Sequence, residues 1–148
     1  METSVRALFA RYEAFFRRAL AGEADVSGAA GAEAASFYAP AFVAATPAGV
    51  MAGENDARLG EIMAQGYARY RAIGTKDMRI RHIRFSPIDA HHGVAHVAWT
   101  ATYARQGQAD AVIDFEVHYL VQQLDGAPRI FGWVSGDEQA LLEAHGIV

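Results

Sequence analysis

Asp114, Glu116 and His118 stand two residues apart in the run AVIDFEVHYLVQQL. In an extended chain, positions i, i+2 and i+4 share a face, so two carboxylates and an imidazole come side by side, a set able to ligate a metal ion or pass a proton. The same spacing has a plainer source. Ile113, Phe115, Val117, Tyr119 and Val121 alternate with these polar residues, and such alternation marks a strand with one dry face and one wet face. The pattern accounts for all three polar residues without further chemistry. No second ligand cluster accompanies them, so no metal is expected. His118 stays a candidate acid/base because a bulge midway along the strand would carry it to the other face.

His82 is the second histidine candidate. Met78 and Ile80 share its parity, whereas Ile83 and Phe85 continue the apolar pattern on the opposite one. That switch predicts a bulge near Arg81 and His82, and a histidine at such a bend can project inward and titrate near working pH. His91 and His92 precede Gly93 and read as turn residues. No G-x-G-x-x-G, P-loop, H-E-x-x-H or G-x-S-x-G arrangement occurs, so no cofactor is expected and any catalysis would be cofactor-free proton transfer.

Aromatic residues outnumber these groups. Tyr38, Tyr67, Tyr70, Trp99, Tyr103, Phe115, Tyr119 and Trp133, with Phe131 beside them, are spread over the helices and strands so that they converge on one interior. Such walls suit a planar apolar molecule, with phenol and indole tips as orienting groups. Those first eight are the expected ligand-binding residues, and ordinary core packing is the competing explanation for each taken singly.

The elements that position these residues follow from periodicity and punctuation. Val5, Leu8, Phe9, Tyr12, Phe16 and Leu20 recur at helical spacing over Val5 to Leu20. A loop and short helix follow, stopped near Pro40 and anchored by Phe37 and Tyr38. FVAATPAGVMAG reads as a small hairpin, and Asn55 or Asp56 can cap a helix running through Ile73 to a stop at Gly74. A four-strand meander is then expected over Met78 to Ser86, Val94 to Arg105, Ala111 to Leu124 and Arg129 to Val134. Ser135 and Glu138 have capping-box spacing for a terminal helix through Leu141 and Leu142 that ends at Gly146. The Ala111 to Leu124 run would be about 46 Å long at about 3.3 Å per residue, so a domain of this size can hold it only if the sheet bends. A strongly curved sheet makes a hollow.

Length and composition narrow the function classes. The 148 residues fit one domain with a well-filled core. A formal net charge of -4 and no Lys/Arg stripe argue against nucleic acid as partner. Arg79, Arg81, His82 and Arg84 read as solvated edge residues. There is no cysteine, which removes disulfides and thiol chemistry. Neither a signal-peptide core nor a run of about 18 apolar residues is found, so no membrane partner is expected and the cytoplasm is the default location.

Helices first, then a hairpin, a long helix and a bent meander form an α+β layout. This order resembles the nuclear transport factor 2-like superfamily, and the segment HYLVQQLDGAPRIFGWVSGDEQALLEAHGIV is similar to the small bacterial polyketide-cyclase-like (SnoaL-like) proteins. The resemblance implies a cone, its strongly curved antiparallel sheet wrapped around N-terminal helices, with a ligand-sized cavity and often a homodimer built on the outer sheet face. Activities in the superfamily range from isomerisation and dehydration to cyclisation, and some members only bind or scaffold, so three readings stand. They are a binder of a small apolar or aromatic molecule, an isomerase, cyclase or dehydratase using His82 or His118 with Tyr38 or Tyr67, and a dimeric interaction module with a closed interior.

Overall fold

The computed structural model describes residues 1–26 and 28–148. The first helix, α1 (Glu2–Leu20), buries Val5, Leu8, Phe9, Phe15, Ala19 and Leu20, the apolar stripe that a period of 3.6 residues dictates. α2 (Gly31–Ser36) is a single short turn of helix before β1 (Tyr38–Thr46) and β2 (Gly49–Glu54). α3 (Ala57–Ala72) leads into β3 (Thr75–Pro87), β4 (His92–Tyr103), β5 (Ala111–Gln122) and β6 (Arg129–Ser135), and α4 (Glu138–Ala144) closes the chain.

The six strands form one sheet in the order β2-β1-β6-β5-β4-β3. Four of the five pairings are antiparallel, and β1 runs parallel to β6. That parallel join lies beyond the reach of a hairpin-and-meander reading, because the two strands are separated by most of the sequence. Pro40 falls inside β1 and not at a helix end. It has no N–H to give, and the β1–β6 register breaks between Tyr38 and Val43, across its position. Its carbonyl is used instead, accepting from the Asn55 amide at 2.9 Å.

β5 behaves as alternation dictates: Ile113, Tyr119 and Val121 are buried while Asp114 and Glu116 are exposed. The ribbon is two residues shorter than expected, ending at Gln122. Register shifts interrupt β3 between Thr75 and Asp77 and between Ile80 and His82, and the β5–β6 ladder between Leu120 and Val121. Each extra residue bends its strand and increases its twist, which curves the sheet around the helices. α1 is pinned to the bent part of β3 by two polar ties. Glu13 accepts from the Ile80 amide, and Arg17 Nε lies 2.9 Å from Asp77 Oδ1. Arg71 of α3 donates to the Ala19 carbonyl at 2.9 Å, a second bond on an acceptor that also takes the Gly22 amide, and so ties α3 to the end of α1.

Gly74 turns the chain from α3 into β3 with φ +91, and a Cβ there would stand 2.6 Å from the Ala104 carbonyl oxygen, so only glycine fits. Of the two residues offered as the α3 cap one is chosen, and the α4 cap differs from the sequence reading. Asp56 caps α3 by accepting from Arg58, while Asn55 turns inward to donate to the carbonyls of Ala35 and Tyr38. At α4 the cap is Asp137, accepting from Ala140 at 2.9 Å, and Ser135 remains in β6. The capping box fails because pairing of Ser135 with Val117 keeps that residue in the ladder. No helix among the described residues is long and apolar enough to cross a membrane.

Replacing Asp137 by Ala should therefore lower stability by about 1 kcal/mol, whereas Ser135→Ala should leave the α4 cap intact. Urea denaturation of the two variants checks this, and an equal loss in both would contradict the assignment.

Candidate functional site

Helix and sheet do not fill the space between them. A cavity of about 460 Å³ lies there, within the range of small-molecule sites. Trp99, Ile113, Val117 and Tyr119 of β4 and β5 make its floor, and Tyr12 and Phe16 of α1 face them. Tyr70 of α3, Trp133 of β6 and Tyr38 of β1 close the sides, and Leu141 and Leu142 of α4 cover it. The opening has a topological cause. β6 ends at Ser135 opposite Val117, so the β5 stretch before Val117 has no partner on that edge. There the strand at Phe115 and Glu116 runs opposite Ser135, Gly136, Asp137 and Glu138 across a mouth.

The deep end is a hydrogen-bonded phenol cluster. Tyr38 Oη donates to Tyr12 Oη at 3.4 Å. The Tyr119 ring packs on Tyr12 with centroids 6.0 Å apart, and Tyr12 packs in turn on Trp99 at 6.1 Å. Tyr12 accepts from Tyr38, which leaves its own O–H as a donor available to an occupant. Burial raises the pKa of Tyr12, and it pushes those of Tyr38 and Tyr119 well up. Near neutral pH all three are therefore uncharged donors and not phenolates. Nearer the mouth, burial again raises Tyr70, with the Glu138 carboxylate and the hydrogen bond Tyr70 gives it adding to the effect. Tyr103 is pushed up to about 12, by burial first and by Glu138 second.

Of the aromatic residues singled out in the sequence, Tyr38, Tyr70, Trp99, Tyr103, Phe115, Tyr119 and Trp133 line the cavity. Tyr67 does not. It is buried edge-on behind Phe16, with ring centroids 5.2 Å apart, because its position on α3 turns it toward α1. Phe131 is also displaced: Leu120 pairs with Gly132 and Val121 with Ile130, so Phe131 is the bulged residue and sets its edge against His92. Sequence reasoning missed the part played by Tyr12 and Phe16, which it read only as members of a helical core stripe. It also missed Glu138, Leu141 and Leu142 at the mouth. Their four- and three-residue spacings were the available signals, and neither says which residues border a void.

Neither candidate histidine reaches the cavity. The bulge expected near Arg81 is present, but Arg81 is the unpaired residue and His82 sits exposed opposite Ala98. β4 and β5 pair without a break, so His118 keeps the parity of Asp114 and Glu116 and stays on the outer face. It meets His96 there, Nδ1 to Nδ1 at 2.7 Å, while His96 Nε2 lies 2.9 Å from Ser86 Oγ. At that separation one Nδ1 donates and the other accepts. No group of three or more metal-ligating side chains is found among the described residues.

Helices seated on the concave face of a bent six-stranded sheet, with an aromatic hollow between, define an NTF2-like cone. The chain belongs to that family: the model described as NTF2-like protein (DUF6841) matches residues 2–138. An NTF2-like protein with a cystatin-like fold from Novosphingobium aromaticivorans is similar at TM-score 0.66 and 12% identity, over 99% of this chain and 88% of that one. A ketosteroid isomerase-like protein from Erwinia carotovora atroseptica matches at TM-score 0.59 and 14% identity, over 90% of this chain and 93% of that one. A candidate polyketide cyclase from Xanthomonas campestris pv. campestris matches at TM-score 0.55 and 15% identity, over 99% and 98%. No curated protein matches in sequence. At these identities the likeness concerns the fold.

Burial, with the charge of Arg84 and then of His118, holds His96 below the ordinary histidine value of 6.5, against a smaller opposing effect of Glu116. The unfolded chain then takes up a proton first, so this stabilisation is complete above about pH 6.5 and is lost as the pH falls below it. The melting temperature should drop between pH 7 and pH 5, and His96→Gln should make that drop shallower. Equal slopes in thermal melts of the two proteins would contradict this.

Proposed function

We propose that the chain binds a small, mostly apolar molecule in the cavity between α1 and the sheet. The observation that carries the reading is the cavity itself, about 460 Å³ with five tyrosines and two tryptophans in its wall. Apolar faces supply the affinity, and the Tyr12 hydroxyl supplies one oriented donor for an acceptor oxygen at the deep end. Proton-transfer chemistry by His82 or His118 draws no support from their positions outside the cavity. The isomerase and cyclase names carried by two of the structural relatives are consistent with an apolar, oxygen-bearing occupant, and they support the reading at that level alone.

A thermal-shift screen with steroid-like, polyketide-like and aromatic compounds tests it. A ligand at 100 times its Kd should raise the melting temperature by about 5–10 °C, from about 2.7 kcal/mol of linkage at about 2–4 °C per kcal/mol. Tyr12→Phe should weaken carbonyl-bearing ligands about tenfold and spare hydrocarbons, since a single neutral hydrogen bond contributes about 1 kcal/mol. A screen with no shift overturns the reading.

A homodimer through the outer sheet face belongs to the same proposal. Val43 and Val134 remain 40% and 46% exposed there on adjoining strands, in keeping with an apolar contact surface. Light scattering at micromolar concentration should give twice the chain mass, and Val134→Glu should return the monomer.

A further inference from the structure

The charges around the cavity are all of one sign. Among the described residues, the acidic side chains at the cavity are Asp137 and Glu138, both at the mouth, while Glu116 borders it as part of β5 and carries its carboxylate on the outer face toward His96. Among the described residues that line it there is no arginine, lysine or histidine. The nearby Arg69 of α3 is turned to Gln139 Oε1 at 2.7 Å, and Arg81 lies 3.5 Å from Asp114 on the other side of β5. Glu138 stands beside Tyr70 and acts on its hydroxyl, and Asp137 is fixed by its bond to the Ala140 amide. The remainder of the wall is mostly aromatic, and the faces of those rings carry the negative end of their quadrupole. The phenols stay neutral, so they add donors but no positive charge.

Resting on the reading of the cavity as a binding site, we infer that its ligand class is cationic: an amine with an apolar or aromatic body. The body occupies the hollow that Phe16, Trp99 and Tyr119 line, and the ammonium stands at the mouth beside Glu138 and Asp137, within reach of the Tyr70 and Tyr103 rings. Carboxylates and aromatic faces both attract such a head group, and the apolar walls lower the local dielectric and strengthen that attraction. An acid of the same shape meets the reverse: its carboxylate faces two like charges with no cation to pair with. The site therefore selects against aromatic and fatty acids by repulsion and for amines by attraction.

The test is a matched set in which naphthyl, biphenyl and phenylbutyl bodies each carry in turn an ammonium, a hydroxyl or a carboxylate, titrated against the full chain by calorimetry at low salt. The amine of at least one body should bind about tenfold or more tighter than its alcohol, with the carboxylate weakest, and the advantage should shrink in 0.5 M salt. Glu138→Gln keeps an oxygen acceptor beside Tyr70 and should erase most of the amine's advantage over its matched alcohol. If alcohols bind as well as amines, or carboxylates bind best, the charge assignment falls and the cavity remains a binding site. If no member of the set binds, the binding reading falls with it.

Discussion

The structure depends on the seating of an aromatic ridge of α1 against the concave face of the sheet. Phe9 packs on Tyr119 with centroids 4.8 Å apart, and Tyr12 and Phe16 lie 6.1 and 5.9 Å from Trp99. Fully burying side chains of this size contributes about 1.5–3 kcal/mol each, and ring contacts add to that. The sheet must be curved for all of these contacts to form together. Curvature comes from bulges in β3 and in the β5–β6 ladder, and the helix is locked to the bent strand by Glu13 and Arg17. Large rings touching at their edges leave gaps that aliphatic side chains would close. The hollow is a consequence of how the core is built.

That geometry separates two polar systems that the chain keeps on opposite faces of one sheet. Inside, phenols cluster beside an indole in a region of low dielectric, and burial keeps the phenols protonated. Outside, His96 and His118 share a hydrogen bond beside Ser86, and Thr100 donates to Asp114 at 2.6 Å. The residues best suited to moving protons near neutral pH thus face away from the cavity, and the residues facing it are suited to recognition. A carboxylate enters the picture only at the rim, where β6 has ended and α4 begins.

Much of this architecture was legible in the order of the residues. Alternation in β5 is unambiguous because each polar residue is flanked by apolar ones, so the faces of Asp114 and Phe115 followed directly. The parity switch around His82 correctly signalled a bulge. It did not say which residue would be expelled from the ladder, since that is decided by the best fit of β3 to β4 over its whole length, and Arg81 was expelled. The Ser135 and Glu138 spacing was a true local pattern that lost to a longer-range one, the pairing of Ser135 with Val117. Asp137 then took the cap.

What the sequence by itself determined is the set of elements, their faces and the curvature demanded by an over-long amphipathic strand, because these rest on periodicities that act within a few residues. Only the tertiary structure decided the parallel join of β1 to β6, the assembly of Tyr12, Tyr38 and Tyr119 into one cluster, and the acidic rim around the opening. Each of these brings together residues far apart in the chain. A void has no residue of its own, so no local pattern can encode which side chains will border it. It is set by where strands end and how rings of fixed shape fail to fill the space between layers.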